Sequence, residues 1–390
     1  MADHLTRDDI DLVSGEFWGR NPHAELAWMR AHTPVYWDGG VWGVTRYADV
    51  KQVSGDPATF SNAGGIRPES GPIAMMIDMD DPEHARRRKL VNRGYLPRRV
   101  RAREDEVRGA CDVIIDRLAD RDTCDLVWDI AAPLPLAVIA NDLGFAEADR
   151  PQLLEWSDAM LRALTGDPDV AAAAGEAFGG YMAYATDVIA QRRADPTDDL
   201  MSVLCHAEVD GEQLTDDEII HESLLILIGG DETTRHVISG GAYQLLVERD
   251  RWDHLRADES LLSTAVEEML RWVSPIKNMA RTATRDVELG GQLIREGDTL
   301  LLLYPSANRD DAVFADPNTF DIGRTPNEHV AFGFGTHFCL GSSLARLELR
   351  VMFEQLPARL PELSLVTDDE PAYRPANFIS GYETLPVRLR

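Results

Sequence analysis

The stretch FGFGTHFCLG, residues 332–341, surrounds Cys339 with three glycines and three phenylalanine rings. A thiolate that binds a metal needs a lowered pKa and open space beside it, and backbone N–H groups aimed at the sulfur help supply the first. Gly333, Gly335 and Gly341 leave those groups unobstructed and let the chain turn close beneath a large flat ligand. Structural zinc wants several Cys or His ligands, and His337 alone does not complete a set. Two other readings of the residues stay open: a nucleophilic Cys339 with His337 as its base, and a buried thiol in a glycine-rich turn ahead of a helix.

Working outward, the chain has 390 residues, 44% of them apolar, enough to bury a large core. No Pro/Ser/Gly-rich linker or shift in composition divides it, so one domain over residues 1–390 is expected. The N-terminal residues lack the basic and apolar regions of a signal peptide. Apolar runs such as 224–228 and 300–304 fall far short of the ~20 residues that span a bilayer. The four cysteines, Cys111, Cys124, Cys205 and Cys339, show neither a CxxC pair nor a disulfide framework. A cytoplasmic, reduced setting is expected. A formal charge of −28 argues against nucleic acid. Against that background, Arg86 to Arg103 holds nine basic residues and no acidic one. It reads either as a dock for an acidic partner or as a solvated helix face.

Periodicity predicts a helix-rich α+β chain, mainly α, with small sheets near its N- and C-terminal parts. Residues 34–47 read as a hairpin around Asp38-Gly39-Gly40, and 64–79 as a long loop. Helical spacing of apolar residues dominates from 83 to about 270, with Asp and Thr at several starts. Strand character returns around Gly290-Gly291, and 377–389 reads as a last hairpin.

A second informative segment is SLLILIGGDETTRHVISGG, residues 223–241. Two glycines inside a helix cost about 1 kcal/mol each relative to alanine. They permit either a local widening that admits a ligand or a close packing contact. A threonine there ordinarily returns its hydroxyl to the i−4 carbonyl, and a widened helix would free that hydroxyl for the ligand side. Further on, Glu268 and Arg271 are spaced three apart, which alone is most often a solvent-exposed pair.

Phe332-x-x-Gly335-x-x-x-Cys339-x-Gly341, with His337 two before the thiol, resembles the haem-binding signature of the cytochrome P450 monooxygenases. The resemblance implies the cytochrome P450 fold, haem b as cofactor and Cys339 as the axial thiolate that favours O–O cleavage. The family's acid–threonine motif falls on Gly229 to Thr233. It implies that Thr233 assists bound oxygen and that Glu232 is the acid of a proton relay. Glu268 and Arg271, joined by Arg324 in Phe320-Asp321-Ile322-Gly323-Arg324, match a structural triad that braces the thiolate segment. His84 and Arg88, with Arg281 and His337, match the groups that grip the haem propionates. Many members carry arginine at the last position, which leaves the charge of His337 open.

The resemblance further implies a ferredoxin and its NAD(P)H-dependent reductase as electron supply. A peroxide-driven relative usually lacks the acid–threonine pair, and a haem sensor or electron carrier needs no relay. Ile73, Met75, Met76, Leu225, Ile276, Met279 and Ile379 match pocket-forming segments, and a Met-rich apolar lining suits a lipid. The loop GGIRPESGPIAMMIDMDDPEH is similar to that of actinobacterial, especially mycobacterial, sterol side-chain hydroxylases. It implies terminal oxidation, at the 26/27 position, of the side chain of cholesterol or cholestenone. Another lipid or a macrolide-like substrate is the alternative.

Overall fold

The computed structural model describes residues 4–68, 70–162 and 168–390. Helices fill most of the chain between Glu83 and Val273, where the apolar spacing predicts them. The longest, the central helix Asp216–Val247, starts on a capping box. The Thr215 hydroxyl accepts from the Glu218 N–H at 3.3 Å, and the Glu218 carboxylate accepts from the Thr215 N–H at 2.9 Å. Its buried residues lie all round the helix, which places it inside the molecule rather than on its surface. Helix Leu262–Val273 packs closely against it, because a Cβ on Gly240 or Gly241 would come within 2.7 Å of Val273 or Met269. Helix Ser342–Arg359 begins three residues after Cys339 and contributes Leu349, Val351, Met352 and Phe353 to the same core.

Ten short strands are found among the described residues: β1 (Val35–Trp37), β2 (Trp42–Val44), β3 (Phe60–Ser61), β4 (Thr123–Asp125), β5 (Asn278–Ala283), β6 (Val287–Leu289), β7 (Gln292–Ile294), β8 (Thr299–Leu303), β9 (Ser364–Leu365) and β10 (Pro386–Arg388). The hairpin predicted at 34–47 forms as β1–β2, with Trp37 opposite Trp42. The turn at Gly290-Gly291 joins β6 to β7, both glycines having positive φ, as a two-residue hairpin requires. The sheets do not stay near their own ends of the chain. One five-stranded sheet runs β1-β2-β8-β5-β3, so that β2 pairs in parallel with β8 from far along the sequence.

The hairpin expected at 377–389 does not form. β10 instead lies between β4 and β9, and Ile379 bridges to Ile276. The alternation there is real, but it serves partners that the local sequence does not name.

The basic segment is not a free face either. Arg86 and Arg87 pair with Glu83 and Glu218, Arg87 also with Glu222 at 3.1 Å, Lys89 with Asp210, and Arg103 with Asp142. Among the described residues Arg93, Arg98 and Arg101 stand exposed without an ion pair. Four of the nine cations are thus ion-paired within the fold, while Arg88, Arg93 and Arg99 reach only backbone carbonyls.

Candidate active site

One cavity of about 410 Å³ is lined by Cys339, by Gly229, Gly230, Thr233 and Thr234 on the central helix, and by the loop residues Ile73, Met75, Met76 and Ile77. Leu225, Ile276, Met279 and Ile379 line it too, so all seven residues expected to form the pocket meet there. The loop that carries Met75 and Met76 is held by the central helix. Glu222, fully buried, accepts from the Met76 N–H at 2.8 Å and from Arg87 at 3.1 Å, while Arg87 also donates to the Ala74 carbonyl at 2.9 Å. No feature of the sequence pointed to this latch.

At one side of the cavity sits Cys339. Its own N–H donates to the Phe332 carbonyl at 2.9 Å, closing the loop that the glycines permit. Gly335 has φ +78°, and a Cβ there would lie 2.4 Å from the Ser54 carbonyl oxygen, so only glycine fits. A Cβ on Gly341 would meet nothing within 4 Å, leaving open space beside the thiol. Burial raises the Cys339 pKa, while the N–H groups of Gly341 and Ser342 and the charges of Arg88 and Arg346 act to lower it. Those N–H groups open helix Ser342–Arg359, whose positive end faces the sulfur. The other three cysteines are buried, whereas Cys339 is partly open.

Haem would bring two carboxylates to this site, and the residues present are short of anions. His84, Arg88, Arg281 and His337 all line the cavity, and the rings of His84 and His337 lie 4.0 Å apart. The buried Nε2 of His84 has no hydrogen-bond partner among the described residues. Arg281 is buried and donates to the adjacent Ala280 carbonyl at 2.7 Å, and Arg88 reaches the Phe338 carbonyl. Burial, together with His84, Arg281 and Arg88, pushes His337 down to about 3. Two arginines and two uncharged histidines around one cavity, one histidine with an orphaned ring nitrogen, match the propionates that the resemblance implies.

On the other side lies the central helix. A Cβ on Gly229 would meet nothing within 4 Å, whereas a Cβ on Gly230 would come 3.2 Å from Ile139. Both glycines line the cavity, and Gly230 also packs against Ile139, which bears out the packing reading. The expected widening is absent. The helix runs on as α, and the Thr233 hydroxyl donates to the Gly229 carbonyl at 2.8 Å. With its hydrogen committed there, the oxygen keeps its lone pairs for the cavity.

Glu232 points away from the cavity into a buried cluster. It accepts from Arg374, which also bonds Asp158 at 3.2 Å and Glu383 at 3.1 Å, and His236 Nε2 lies 3.4 Å away. Burial pushes the Glu232 carboxyl up, but His236 and Arg374 outweigh it and hold the group well below the usual carboxylate range. Burial keeps His236 itself neutral, so Arg374 is the charge that matters. A second cavity of about 120 Å³, lined by Glu232, Arg374, Asn377 and Glu383, lies against the cluster. No motif in the sequence singled out Arg374 as the partner of Glu232.

The three residues of the triad meet. Glu268, fully buried, accepts from Arg271 Nε and Nη2 at 2.8 and 2.7 Å and from Arg324 Nε at 3.0 Å. Arg324 also donates to the carbonyls of Ala315, Asp316 and Thr319. The neighbouring Glu267 binds Arg346 and His329, and Arg346 stacks 4.6 Å over the Phe332 ring. The acidic pair Glu267-Glu268 thus anchors the loop of Cys339 from two sides.

Comparison with known proteins agrees with this geometry. The family model for cytochrome P450 matches residues 168–360. The chain is 51% identical over 391 residues to a steroid C26-monooxygenase of Mycolicibacterium smegmatis, covering 99% of this chain and 98% of that protein. It is 39% identical to a methyl-branched lipid omega-hydroxylase of Mycobacterium tuberculosis, covering 97% and 94%. Among solved structures, Mycobacterium marinum cytochrome P450 CYP268A2 in complex with pseudoionone superposes with a TM-score of 0.91 at 34% identity, covering 99% of this chain and all of that one. Similarity over nearly the whole length, with the thiol, the cationic cradle and the threonine set around one cavity, places this chain in the cytochrome P450 family.

Proposed function

We propose that residues 1–390 form one haem-thiolate monooxygenase domain that hydroxylates the terminal methyl, at the 26/27 position, of the side chain of cholesterol or cholestenone. The observation that carries the reading is the apolar cavity joining Cys339 and Thr233 to the methionine-rich loop. The steroid C26-monooxygenase name of relatives at 51% identity supports the substrate class. The methyl-branched lipid omega-hydroxylase at 39% identity favours a second reading, terminal hydroxylation of a branched acyl chain in the same cavity.

Haem b, when bound, supplies the iron at which O₂ is reduced, and the net reaction takes substrate, O₂, two electrons and two protons to alcohol and water. Cys339 would ligate the iron, and His84, Arg88, Arg281 and His337 would bind the propionates. Ile276, Met279, Ile379 and the Met75–Met76 loop exclude water and enclose the apolar body of the substrate. Thr233, its proton directed at Gly229, accepts a hydrogen bond on the cavity side. Protons reach Glu232 from the smaller cavity, and Arg374 must loosen its hold before the carboxylate can carry one.

Electrons come from a ferredoxin reduced by its NAD(P)H-dependent reductase. The exposed Arg98 and Arg101 provide charge complementary to an acidic donor, and the Arg88 contact with Phe338 joins their segment to the Cys339 loop. No helix among the described residues is long and apolar enough to cross a membrane.

The experiment is turnover with a reconstituted ferredoxin, its reductase and NADPH, followed by mass-spectrometric identification of products. The expected product from cholestenone is the side-chain terminal alcohol. Efficient turnover of branched fatty acids alone would transfer the reading to the second substrate, and hydroxylation confined to the steroid rings would overturn the proposed orientation.

A further inference from the structure

Arg67 lines the same cavity but takes no part in the propionate cradle, the relay or the triad. It rims the apolar lobe formed by Ile66, Phe378 and Ile379 with Ile276 and Met279, its guanidinium 5.7 Å from the Phe378 ring. The other basic side chains of the cavity, Arg88 and Arg281 with the uncharged His84 and His337, are taken by the propionates in the proposed function. Arg67 is the cationic side chain of the lining left without an assignment.

Its surroundings say what it would accept. Nε donates to the Ser70 hydroxyl at 3.2 Å and Nη2 to Asp78 at 2.8 Å, while Nη1 has no acceptor among the described residues. Asp78 is fully enclosed and also accepts from the Ile66 and Ile73 N–H groups, at 3.0 and 2.8 Å. The charge of Arg67 is therefore already balanced, and the loop from Ile66 to Asp78 is folded around that balance. An incoming carboxylate would meet Asp78 beside its target, whereas a neutral ketone or hydroxyl oxygen would complete the guanidinium at no such cost. The side chain of Arg67 is 12% exposed and that of nearby Ile73 also reaches solvent, which marks the rim of the cavity.

We propose that Arg67 is a specificity-determining residue that donates a hydrogen bond from Nη1 to the neutral oxygen at the polar end of an otherwise apolar, rigid lipid. This rests on the sterol reading, under which that oxygen is the one on ring A. With the oxygen held at the rim, the opposite, alkyl end of the molecule is the part left to approach Thr233. One residue thereby selects both the substrate and its direction.

The test uses the full-length, haem-loaded enzyme and titrations of the substrate-induced absorption change with cholest-4-en-3-one, cholesterol, cholesterol 3-sulfate and cholestane, which has no oxygen. The wild type is expected to bind the ketone and alcohol roughly tenfold more tightly than cholestane, the worth of one charge-assisted hydrogen bond, and to gain nothing from the sulfate. Arg67→Met should remove that preference while leaving cholestane affinity unchanged, and Arg67→Lys should restore part of it. Asp78→Asn, which disturbs the loop but keeps the guanidinium, should retain the preference for oxygen. Equal wild-type affinity for cholestenone and cholestane overturns the role of Arg67 alone. So does an Arg67→Met variant that weakens every ligand equally. A wild type that responds to none of the four overturns the sterol reading itself.

Discussion

Replacing Glu268 by glutamine removes one charge and almost no volume, at a place where five donors depend on that charge. Glu268 is fully buried and accepts two hydrogen bonds from Arg271, one from Arg324, one from the Asp321 N–H at 2.9 Å and one from Asn327 at 3.1 Å. Oε1 serves two of these donors and Oε2 three, so whichever oxygen becomes an amide nitrogen faces donors with a donor. Arg271 is 0% exposed and Arg324 9%, and both would be left without their counter-charge. Breaking a buried ion pair by removing one partner costs about 3–5 kcal/mol, against a typical total stability of about 5–15 kcal/mol. Glu268→Gln should therefore lower the urea midpoint strongly when unfolding is followed by circular dichroism. It should also reduce haem retention, because Arg324 anchors the chain that leads to Cys339. Glu104→Gln, at a half-exposed pair with Arg350, serves as a control that should leave the midpoint unchanged. A Glu268→Gln variant that unfolds like the control and keeps its full complement of haem would refute the bracing role.

Three further substitutions test the rest. Cys339→His should abolish the ~450 nm absorption of the reduced carbon monoxide complex, and an unchanged band would remove the ligand assignment. Thr233→Ala should keep haem and substrate binding while diverting reducing equivalents to hydrogen peroxide, measured as alcohol formed per NADPH consumed; full coupling would end the relay role. Glu348, buried with Oε2 unpartnered among the described residues, has its pKa raised from 4.5 to about 8, chiefly by burial, then by Asp231 and Asp142, against the pull of Arg103. A raised carboxyl pKa means the folded state holds its proton longer. Stability is then full below about pH 4.5 and falls as pH rises toward 8, by about 3 kcal/mol at neutral pH. Glu348→Gln should flatten that slope in denaturation curves at pH 5 and 7, and an unchanged slope would place the titration elsewhere.

How much was legible in the sequence depended on whether a feature's parts lie close together along the chain. The glycine-rich turn around Cys339, a threonine at the start of the central helix and the β1–β2 hairpin are local, and each was readable because backbone geometry and nearest neighbours decide it. The triad spans a longer interval, yet its members could be assigned because a family pattern fixes their spacing. The hairpin expected near the C-terminus failed for the opposite reason: β10 alternates as any half-buried strand does, and alternation carries no information about whether its partner is adjacent or, like β4, hundreds of residues away.

By itself, then, the sequence determined the family and the order of its motifs, since these need only the right side chains at short intervals. Tertiary structure alone decided that Arg374, 142 residues from Glu232, holds its carboxylate, that Glu222 pins the loop at Met76, and that four cations of the basic segment are paired within the fold. The physical reason is that a buried charge must find a counter-charge somewhere in space, and chain order places no limit on where that partner comes from.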